Sequence, residues 1–315
     1  MRKAATIGAV ILILLFFGTT GYAYYVYHSV HNTFQKINKP LKNKADKADI
    51  AKDIQTVKPI SFLLLGVDER PGDSGRSDTM LVVTVNPKQK SAKILSIPRD
   101  TLTAIPGHGK QNKINAAYAY GGPDLSVHTV EHLFHIPIDY YIKINMDGLK
   151  DLINAVGGVT VQNDFAFNFN GYTFPKGKVQ LNGDKALAYV KMRKQDPNGD
   201  LGRENRQQKV IEAVMKKEMN LSGLKSLPDV LQALQNNVKT NLTLNDMETI
   251  FQNDKSAMNQ IQTLHLRGEG KTIDGVWYYD IPDEELNNVS DQLKNHLGIA
   301  KRDNQSEDQM STISP

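Results

Sequence analysis

The sequence lacks cysteine altogether and has no strong excess of charge of either sign. Without thiols the chain can form neither disulfides nor thiolate metal sites, and any nucleophile must be oxygen or nitrogen. The 38 basic and 34 acidic residues give a formal net charge of +4 and are interleaved along the chain. This pattern argues against the continuous basic surface of a nucleic-acid-binding protein. The length of 315 residues allows one large domain or two small ones.

A long uncharged segment occupies residues 4–27. As a helix, its 24 residues would span a hydrocarbon core of about 30 Å. Arg2 and Lys3 precede it, and tyrosines cluster at its far end, where amphipathic rings meet lipid headgroups. The alternative is a signal peptide cleaved near residues 21–23, but the apolar run continues past that triplet. We therefore predict an uncleaved transmembrane anchor.

The remaining segments are interpreted relative to this anchor. Residues 1–3 would be cytoplasmic, because a large following domain is translocated largely regardless of flanking charge. In residues 28–58 lysines alternate with aspartates, which predicts a solvated stalk, with contact to anionic lipid headgroups as the alternative. Residues 59–302 form the predicted extracellular domain, and residues 303–315 a disordered tail. The predicted localisation is the cell membrane, with a single pass and the large domain outside.

Within the large domain, short apolar runs alternate with helical segments. This alternation predicts an α/β domain with a mixed central sheet flanked by helices. The predicted strands are 60–67, 80–85, 93–97, 140–144, 262–266 and 275–279. The predicted helices are 125–134, 146–155, 204–219, 224–236 and 244–253.

Carboxylates occur where the first two predicted strands are connected. Asp68 directly follows the first strand, and Asp78 lies at the entry to the second, after a glycine-containing loop. Ligand sites in open α/β sheets lie outside the carboxyl ends of strands. Two carboxylates in this arrangement can hold one hard cation, or two with waters completing the shell. Turn capping, however, explains most single aspartates at strand ends.

Arginines accompany these carboxylates. Arg76 lies in the same loop as Asp78, and Arg99 follows the third predicted strand. The simplest interpretation of Arg99 is an ion pair with Asp100 or another loop acid. A denser charged run would, taken alone, be a solvated helix start. Its members are Lys191, Arg193, Asp196, Asp200, Arg203, Arg206 and Gln207.

Together these groups indicate a diphosphate ligand. Guanidinium forks match phosphate oxygens bidentately, and carboxylates suit magnesium. Asp200, Arg203 and Gln207 are spaced at three and four residues, so they share one face at the N-terminal turns of a helix. The helix dipole there further favours an anion.

Four motifs, in this order along the chain, resemble those of the LytR-CpsA-Psr family of membrane-anchored transferases. They are GVDERPGDSGRSDTM, LSIPRDT, NKINAAYAYGG and YVKMRKQDPNGDLGRENRQ. The resemblance covers roughly residues 60–219. It implies an α/β domain that houses a polyprenyl chain in an apolar cavity, to which no individual residue is assigned.

The resemblance also implies roles for individual residues. Asp68 and Asp78 are similar to the family's magnesium-binding pair, so Mg²⁺ is the implied cofactor. The implied diphosphate-binding residues are Arg76, Arg99, Lys113, Lys191, Arg193, Asp200, Arg203 and Gln207. The implied catalytic residues are Asp78, Arg99 and Arg203, with Asp78 as the candidate acceptor of the hydroxyl proton. Lys191 departs from the arginine of many members, so a point charge replaces a planar fork.

The implied reaction is transfer of a glycopolymer, such as wall teichoic acid, from polyprenyl diphosphate to a sugar hydroxyl of peptidoglycan. It would release polyprenyl phosphate outside the membrane of a Gram-positive-type cell. The alternatives are a hydrolase of polyprenyl diphosphates and a non-enzymatic membrane regulator or wall-binding protein. Five histidines lack metal-ligand spacing and are interpreted as structural or surface residues. They are His108, His128, His132, His135 and His265.

Overall fold

The computed structural model describes residues 31–42, 58–69, 75–220, 234–254, 257 and 260–299. The predicted anchor, most of the predicted stalk and the predicted tail lie outside these residues. In the described part of the chain, no helix combines the length and apolar character needed to cross a bilayer. The chain divides into two compact units, which we call unit 1 (Met1–Pro40 with Ile144–Asn245) and unit 2 (Leu41–Lys143 with Asp246–Pro315).

The described part of the chain contains both strands and helices, arranged in runs of strands with helices between them. The strands are β1 (Ile60–Val67), β2 (Ser77–Asn86), β3 (Ser91–Ser96), β4 (Leu102–Ala104), β5 (Gln111–Lys113), β6 (Tyr140–Asn145), β7 (Val159–Asn163), β8 (Phe167–Phe169), β9 (Tyr172–Phe174), β10 (Gly177–Leu181), β11 (Val238–Thr240), β12 (Ile261–Leu264), β13 (Glu269–Ile273) and β14 (Val276–Asp280). The helices are α1 (Ala116–Phe134), α2 (Met146–Ala155), α3 (Gly183–Lys191), α4 (Gly199–Asn220), α5 (Leu244–Asp254) and α6 (Asp283–Leu297).

The sheet of unit 2 has its strands in the order β6-β1-β2-β3-β12. β1 and β3 run antiparallel to β2, whereas β12 runs parallel to β3. The predicted mixed sheet is therefore confirmed. Leu63 and Leu65 of β1 pair with Val82 and Met80 of β2, so that all four side chains lie on one face.

Helices α1 and α6 cover this apolar face of the sheet. Phe134 and Val130 of α1 and Leu293 of α6 are fully buried in the same cluster as Leu63 and Leu65. Burying a side chain of this size contributes roughly 1.5–3 kcal/mol. This layer therefore fixes the strands whose ends carry the charged loops.

Several predicted boundaries differ from the structure. Helix α1 begins nine residues before the predicted residue 125, and it is interrupted by non-helical backbone at Gly121 and Gly122. Helix α4 begins at Gly199 instead of residue 204, which brings Asp200 into its first turn. Two short strands do not end the domain, because α6 follows them with three acidic residues in its first turn. Most of the predicted helix 224–236 lies outside the described residues.

Unit 1 has its own core, formed where α2, α3 and α4 meet the antiparallel pair of β7 and β10. Tyr189 of α3 and Phe174 of β9 are fully buried there, with ring centroids 5.5 Å apart. The sequence interpretation missed β7 to β10. The Asn170-Gly171 pair was a usable sequence signal, because this dipeptide favours a two-residue hairpin turn. In the structure both residues have positive φ and connect β8 to β9.

Candidate functional site

The two predicted metal ligands lie on either side of the loop between β1 and β2. Asp68 directly follows β1 and is partly buried, and Asp78 is the second residue of β2, beside a register shift at Val67. Gly75 has φ +67°, and a Cβ atom there would lie 2.5 Å from the carbonyl oxygen of Asp68. Only glycine therefore allows the loop to return so closely to Asp68. Arg76 follows and is exposed.

Arg99 is bound mainly by Asp78. A guanidinium NH of Arg99 donates to Oδ1 of Asp78 at 2.7 Å, whereas Arg99 Nε lies 3.6 Å from Asp100 Oδ2. The side chains of Arg99 and Asp78 are 19% and 26% exposed, so the pair is open to a ligand from one side. Arg99 therefore pairs more closely with Asp78 than with its sequence neighbour Asp100.

Lys113 extends the cluster. Its Nζ lies 2.7 Å from Oδ1 of Asp100 and 5.8 Å from the ring centroid of Tyr278. The β4/β5 hairpin places Lys113 opposite Leu102, close to the strand end that carries Asp100. Anions and cations thus alternate as Asp78, Arg99, Asp100 and Lys113. Arginine and lysine are the side chains that form charge-assisted hydrogen bonds with carboxylates and phosphates.

The backbone under this cluster is held from several directions. The N–H of Asn115 donates to the carbonyl of Arg99 at 3.2 Å, and the N–H of Tyr279 donates to the carbonyl of Asp100 at 2.9 Å. Ser77 Oγ, Thr101 Oγ1 and Asn115 Oδ1 are buried without a hydrogen-bond partner among the described residues. Two of these residues adjoin Asp78 and Asp100. Buried polar atoms usually have partners, so the site has capacity for a polar ligand.

A second cluster in unit 2 is centred on Glu69, the residue after Asp68. Glu69 accepts hydrogen bonds from the hydroxyl of Tyr118 and from Nζ of Lys143. The Lys143 side chain is only 8% exposed, whereas that of Glu69 is 33% exposed. Burial raises the pKa of the Tyr118 hydroxyl far above its usual range, and the Glu69 charge raises it further. Tyr118 therefore stays a donor, and the cluster ties the end of β1 to α1 and β6.

Unit 1 brings together three other predicted site residues. The carboxylate of Asp200 lies 3.0 Å from Arg193 and 3.0 Å from Arg203. Asp200 is in the first turn of α4, where the helix dipole favours its charge. Arg203 is buried, whereas the Arg193 side chain is 55% exposed. Lys191 is exposed at the end of α3, and Gln207 is buried one turn beyond Arg203.

Arg206 anchors this segment from within the core of unit 1. Its guanidinium binds the Asp196 carboxylate and the carbonyls of Tyr189 and Met192. A Cβ at Gly202 would overlap the Asp196 carboxylate, so glycine is required beside this pair. Arg206 and Asp196 are therefore structural residues that hold the chain between α3 and α4. The charged run is only in part a solvated surface.

The carboxylates of the β1–β2 loop fit a magnesium ion only in combination with a ligand. The described part of the chain contains no group of three or more His, Cys, Asp and Glu side chains suited to a metal. Mg²⁺ is commonly held by one or two carboxylates together with substrate phosphates and water. Asp68 and Asp78 match this requirement in number and chemistry, with one oxygen of Asp78 already bound to Arg99.

A mixed sheet flanked by helices, with alternating carboxylates and cations beyond its strand ends, defines an α/β protein with a charged candidate site. Residues 24–295 match the model of the LytR_cpsA_psr family. The chain therefore belongs to this family, and the resemblance deduced from its motifs is confirmed.

Individual relatives carry different names. The chain is 51% identical over 249 residues to the polyisoprenyl-teichoic acid–peptidoglycan teichoic acid transferase TagU of Bacillus mycoides, covering 79% of this chain and 82% of the relative. A structure described as a transcriptional regulator from Enterococcus faecalis has a TM-score of 0.73 at 40% identity, covering 82% and 95%. The structure of TagT bound to LIIa-WTA has a TM-score of 0.68 at 33% identity, covering 82% and 97%.

Proposed function

We propose that this protein transfers a glycopolymer from polyprenyl diphosphate to peptidoglycan and releases polyprenyl phosphate. The observation that carries the proposal is the alternating cluster of Asp78, Arg99, Asp100 and Lys113 at neighbouring strand ends. Such a cluster suits a diphosphate, since each cation can exchange a carboxylate for a phosphate oxygen. The name of the Bacillus mycoides relative describes the same type of transfer.

In the proposed reaction, an acceptor hydroxyl oxygen attacks the phosphorus that carries the glycopolymer. The new P–O bond forms as the bond to the bridging oxygen breaks, and polyprenyl phosphate leaves with the bonding electrons. Arg99 and Lys113 bind the diphosphate and stabilise the negative charge on the leaving oxygen. Asp78, which Arg99 holds through Oδ1, is the proposed acceptor of the hydroxyl proton.

Asp68 and Asp78 would hold a magnesium ion against the diphosphate. Bound there, Mg²⁺ would neutralise charge on the phosphate oxygens. Asp78→Ala should abolish magnesium-dependent transfer but leave the fold intact, because Asp78 lies in a partly exposed loop site and not in the core. A magnesium titration of the transfer rate, with circular dichroism as the folding control, tests this. An unchanged rate and magnesium dependence would contradict the assignment.

A diphosphate-binding role within unit 1 is proposed for Lys191, Arg193, Asp200, Arg203 and Gln207, as the family resemblance implies. Their support is the cluster of Arg193, Asp200 and Arg203 in unit 1, in which two guanidinium groups share one carboxylate at a helix N-terminus. Arg76, exposed beside Asp78, is proposed to bind the diphosphate from the β1–β2 loop.

Product analysis decides between transfer and the alternatives. The protein would be incubated with a synthetic lipid-linked glycopolymer precursor and peptidoglycan oligomers, and the product masses would be determined. A mass equal to oligomer plus glycopolymer phosphate is the expected result. A water-derived phosphate product would identify a hydrolase, and an unchanged precursor would favour a non-enzymatic role. Asp78→Asn serves as the matched inactive control, since it removes the base but keeps the shape.

A further inference from the structure

A cavity on helix α1 lies outside the residues assigned so far. It has a volume of about 350 Å³, and its lining includes His108, Tyr120, Asp124, His128 and Glu131. Tyr120 stacks on His108 with ring centroids 4.5 Å apart and is 49% exposed. Aromatic and apolar side chains together with a few polar groups form the usual lining of a small-molecule pocket.

The cavity lies at the interruption of α1. Gly122 has φ +63° and ψ −150°, a conformation that an L side chain rarely adopts, and Pro123 follows it. The lining includes Tyr120 and Gly121 before this break and Asp124 and His128 after it. Residues from both parts of the helix therefore contribute to one cavity.

The carboxylates of the cavity are held in defined positions. One oxygen of Asp124 accepts the N–H of Lys42 at 2.6 Å, and one oxygen of Glu131 accepts the N–H of Ile138 at 2.9 Å. Carboxylates accept hydrogen bonds and cannot donate them when ionised, so they suit hydroxyl and amide donors. Such backbone contacts reduce the entropy lost when a ligand binds.

The charge of the cavity differs from that of the cluster of Asp78, Arg99, Asp100 and Lys113. Asp124 and Glu131 line it, and no lysine or arginine is among its described lining residues. An anionic phosphate would be repelled there, whereas an uncharged, hydroxyl-rich molecule would not. Aromatic faces with fixed hydrogen-bond acceptors suit a sugar ring, which has apolar C–H faces and hydroxyl edges.

A short polar connection runs from the cavity to the cluster of Asp78, Arg99, Asp100 and Lys113. Asn112 Nδ2 donates to the hydroxyl of Tyr120 at 2.9 Å, and Asn112 directly precedes Lys113. Lys113 in turn binds Asp100, next to Arg99. A sugar stacked on Tyr120 would therefore be linked through Asn112 to the hairpin that carries Lys113.

We propose that this cavity binds an uncharged sugar of the acceptor glycan and presents it to the bound diphosphate. The proposal rests on the proposed function, because the sugar would be the acceptor of that transfer. Tyr120 and His128 are specificity-determining residues in this role, and Asp124 and Glu131 accept hydrogen bonds from the sugar.

Direct binding tests the cavity without any requirement for transfer. Saturation-transfer NMR would use the full chain in detergent and an oligosaccharide of N-acetylglucosamine, the uncharged sugar of peptidoglycan. Tyr120→Ala and His128→Ala should each weaken binding by about tenfold, the loss expected for one aromatic contact. His132→Ala is the matched control, since His132 is exposed on the same helix outside the cavity lining and should bind like wild type.

Kinetics then separates the acceptor from the donor. Tyr120→Ala should raise the apparent KM for the oligosaccharide about tenfold and leave the KM for the lipid-linked donor unchanged. A rise confined to the donor KM would overturn the proposal, and so would oligosaccharide binding that is absent or insensitive to both cavity variants. The wild-type protein could also bind the oligosaccharide but transfer nothing. If only the cavity variants then lose binding, the cavity assignment is supported and the proposed reaction is refuted.

Discussion

Arg99 is the residue on which the proposed chemistry most depends. Charge-assisted hydrogen bonds contribute about 1.5–3 kcal/mol, so Arg99→Ala should slow transfer roughly ten- to a hundredfold or more. Arg99→Lys should restore activity only in part, because an ammonium group keeps the charge but not the fork. Initial rates with the lipid-linked precursor provide the measurement, and full activity of Arg99→Lys would contradict a bidentate role.

Arg203 allows a test of the charged cluster in unit 1. Arg203→Ala should slow transfer because a charge-assisted contact is lost, and Arg203→Lys should restore activity only in part, since an ammonium group keeps the charge but not the fork. Initial rates with the lipid-linked precursor provide the measurement, and a wild-type rate for Arg203→Ala would show that this cluster does not take part in transfer.

Glu69 and Lys143 should differ in their contribution to stability although they form one ion pair. Glu69→Gln leaves a buried ammonium without its carboxylate and should reduce the free energy of unfolding by roughly 1–3 kcal/mol. Lys143→Met leaves Glu69 partly in water and bound to Tyr118, so the cost should be below about 1 kcal/mol. Urea unfolding of both variants measures this difference, and equal losses would contradict it.

At the scale of elements, α6 is joined to the sheet through a buried histidine. His296 is 2% exposed, and its ring nitrogens bind the hydroxyls of Thr84 at 2.7 Å and Ser91 at 3.0 Å. Its backbone carbonyl accepts the side-chain amide of Asn86 at 2.6 Å. Burial and the nearby charge of Lys93 lower the pKa of His296 to about 4. The sequence interpretation did not include this residue.

This lowered pKa predicts how stability depends on pH. The folded state disfavours the charged ring, so the full contribution is present above the unfolded pKa of about 6.5 and is lost as the pH falls toward 4. The loss should be roughly 3 kcal/mol. Urea unfolding between pH 7 and pH 4 should show a steeper decline for wild type than for His296→Asn. Parallel curves would show that His296 does not titrate in this window.

For the whole molecule, the uncharged residues 4–27 predict anchoring with the large domain outside the cell. Protease added to intact protoplasts should remove this domain and leave a small membrane fragment. Lysed protoplasts provide the control for protease access. Protection of the domain in intact protoplasts would reverse the predicted orientation.

Elements with a clear apolar pattern were predictable, whereas helices α3 and α6 and the strands of three residues were not. The predicted bounds of β1 and α2 agree with the structure because an apolar pattern ends at clear signals, such as the Asn145 side chain that caps α2. Strands β4 and β5 have three residues each, too few for a periodic pattern, yet they position Lys113. The predicted helix 125–134 was shorter than α1 because Gly121, Gly122 and Pro123 are strong helix-breaking signals.

The order of residues was sufficient to establish the family and the chemical groups available for a diphosphate, since motifs and side-chain chemistry are local properties. Which groups meet depended on tertiary structure. Arg99 binds Asp78 because β2 and β3 pair in one register, and Lys113 reaches Asp100 because β5 folds back on β4. Arg206 is a buried anchor for Asp196 although both lie in a run that looks solvated. Ion pairs and burial depend on segments distant in sequence, and local spacing does not encode those distances.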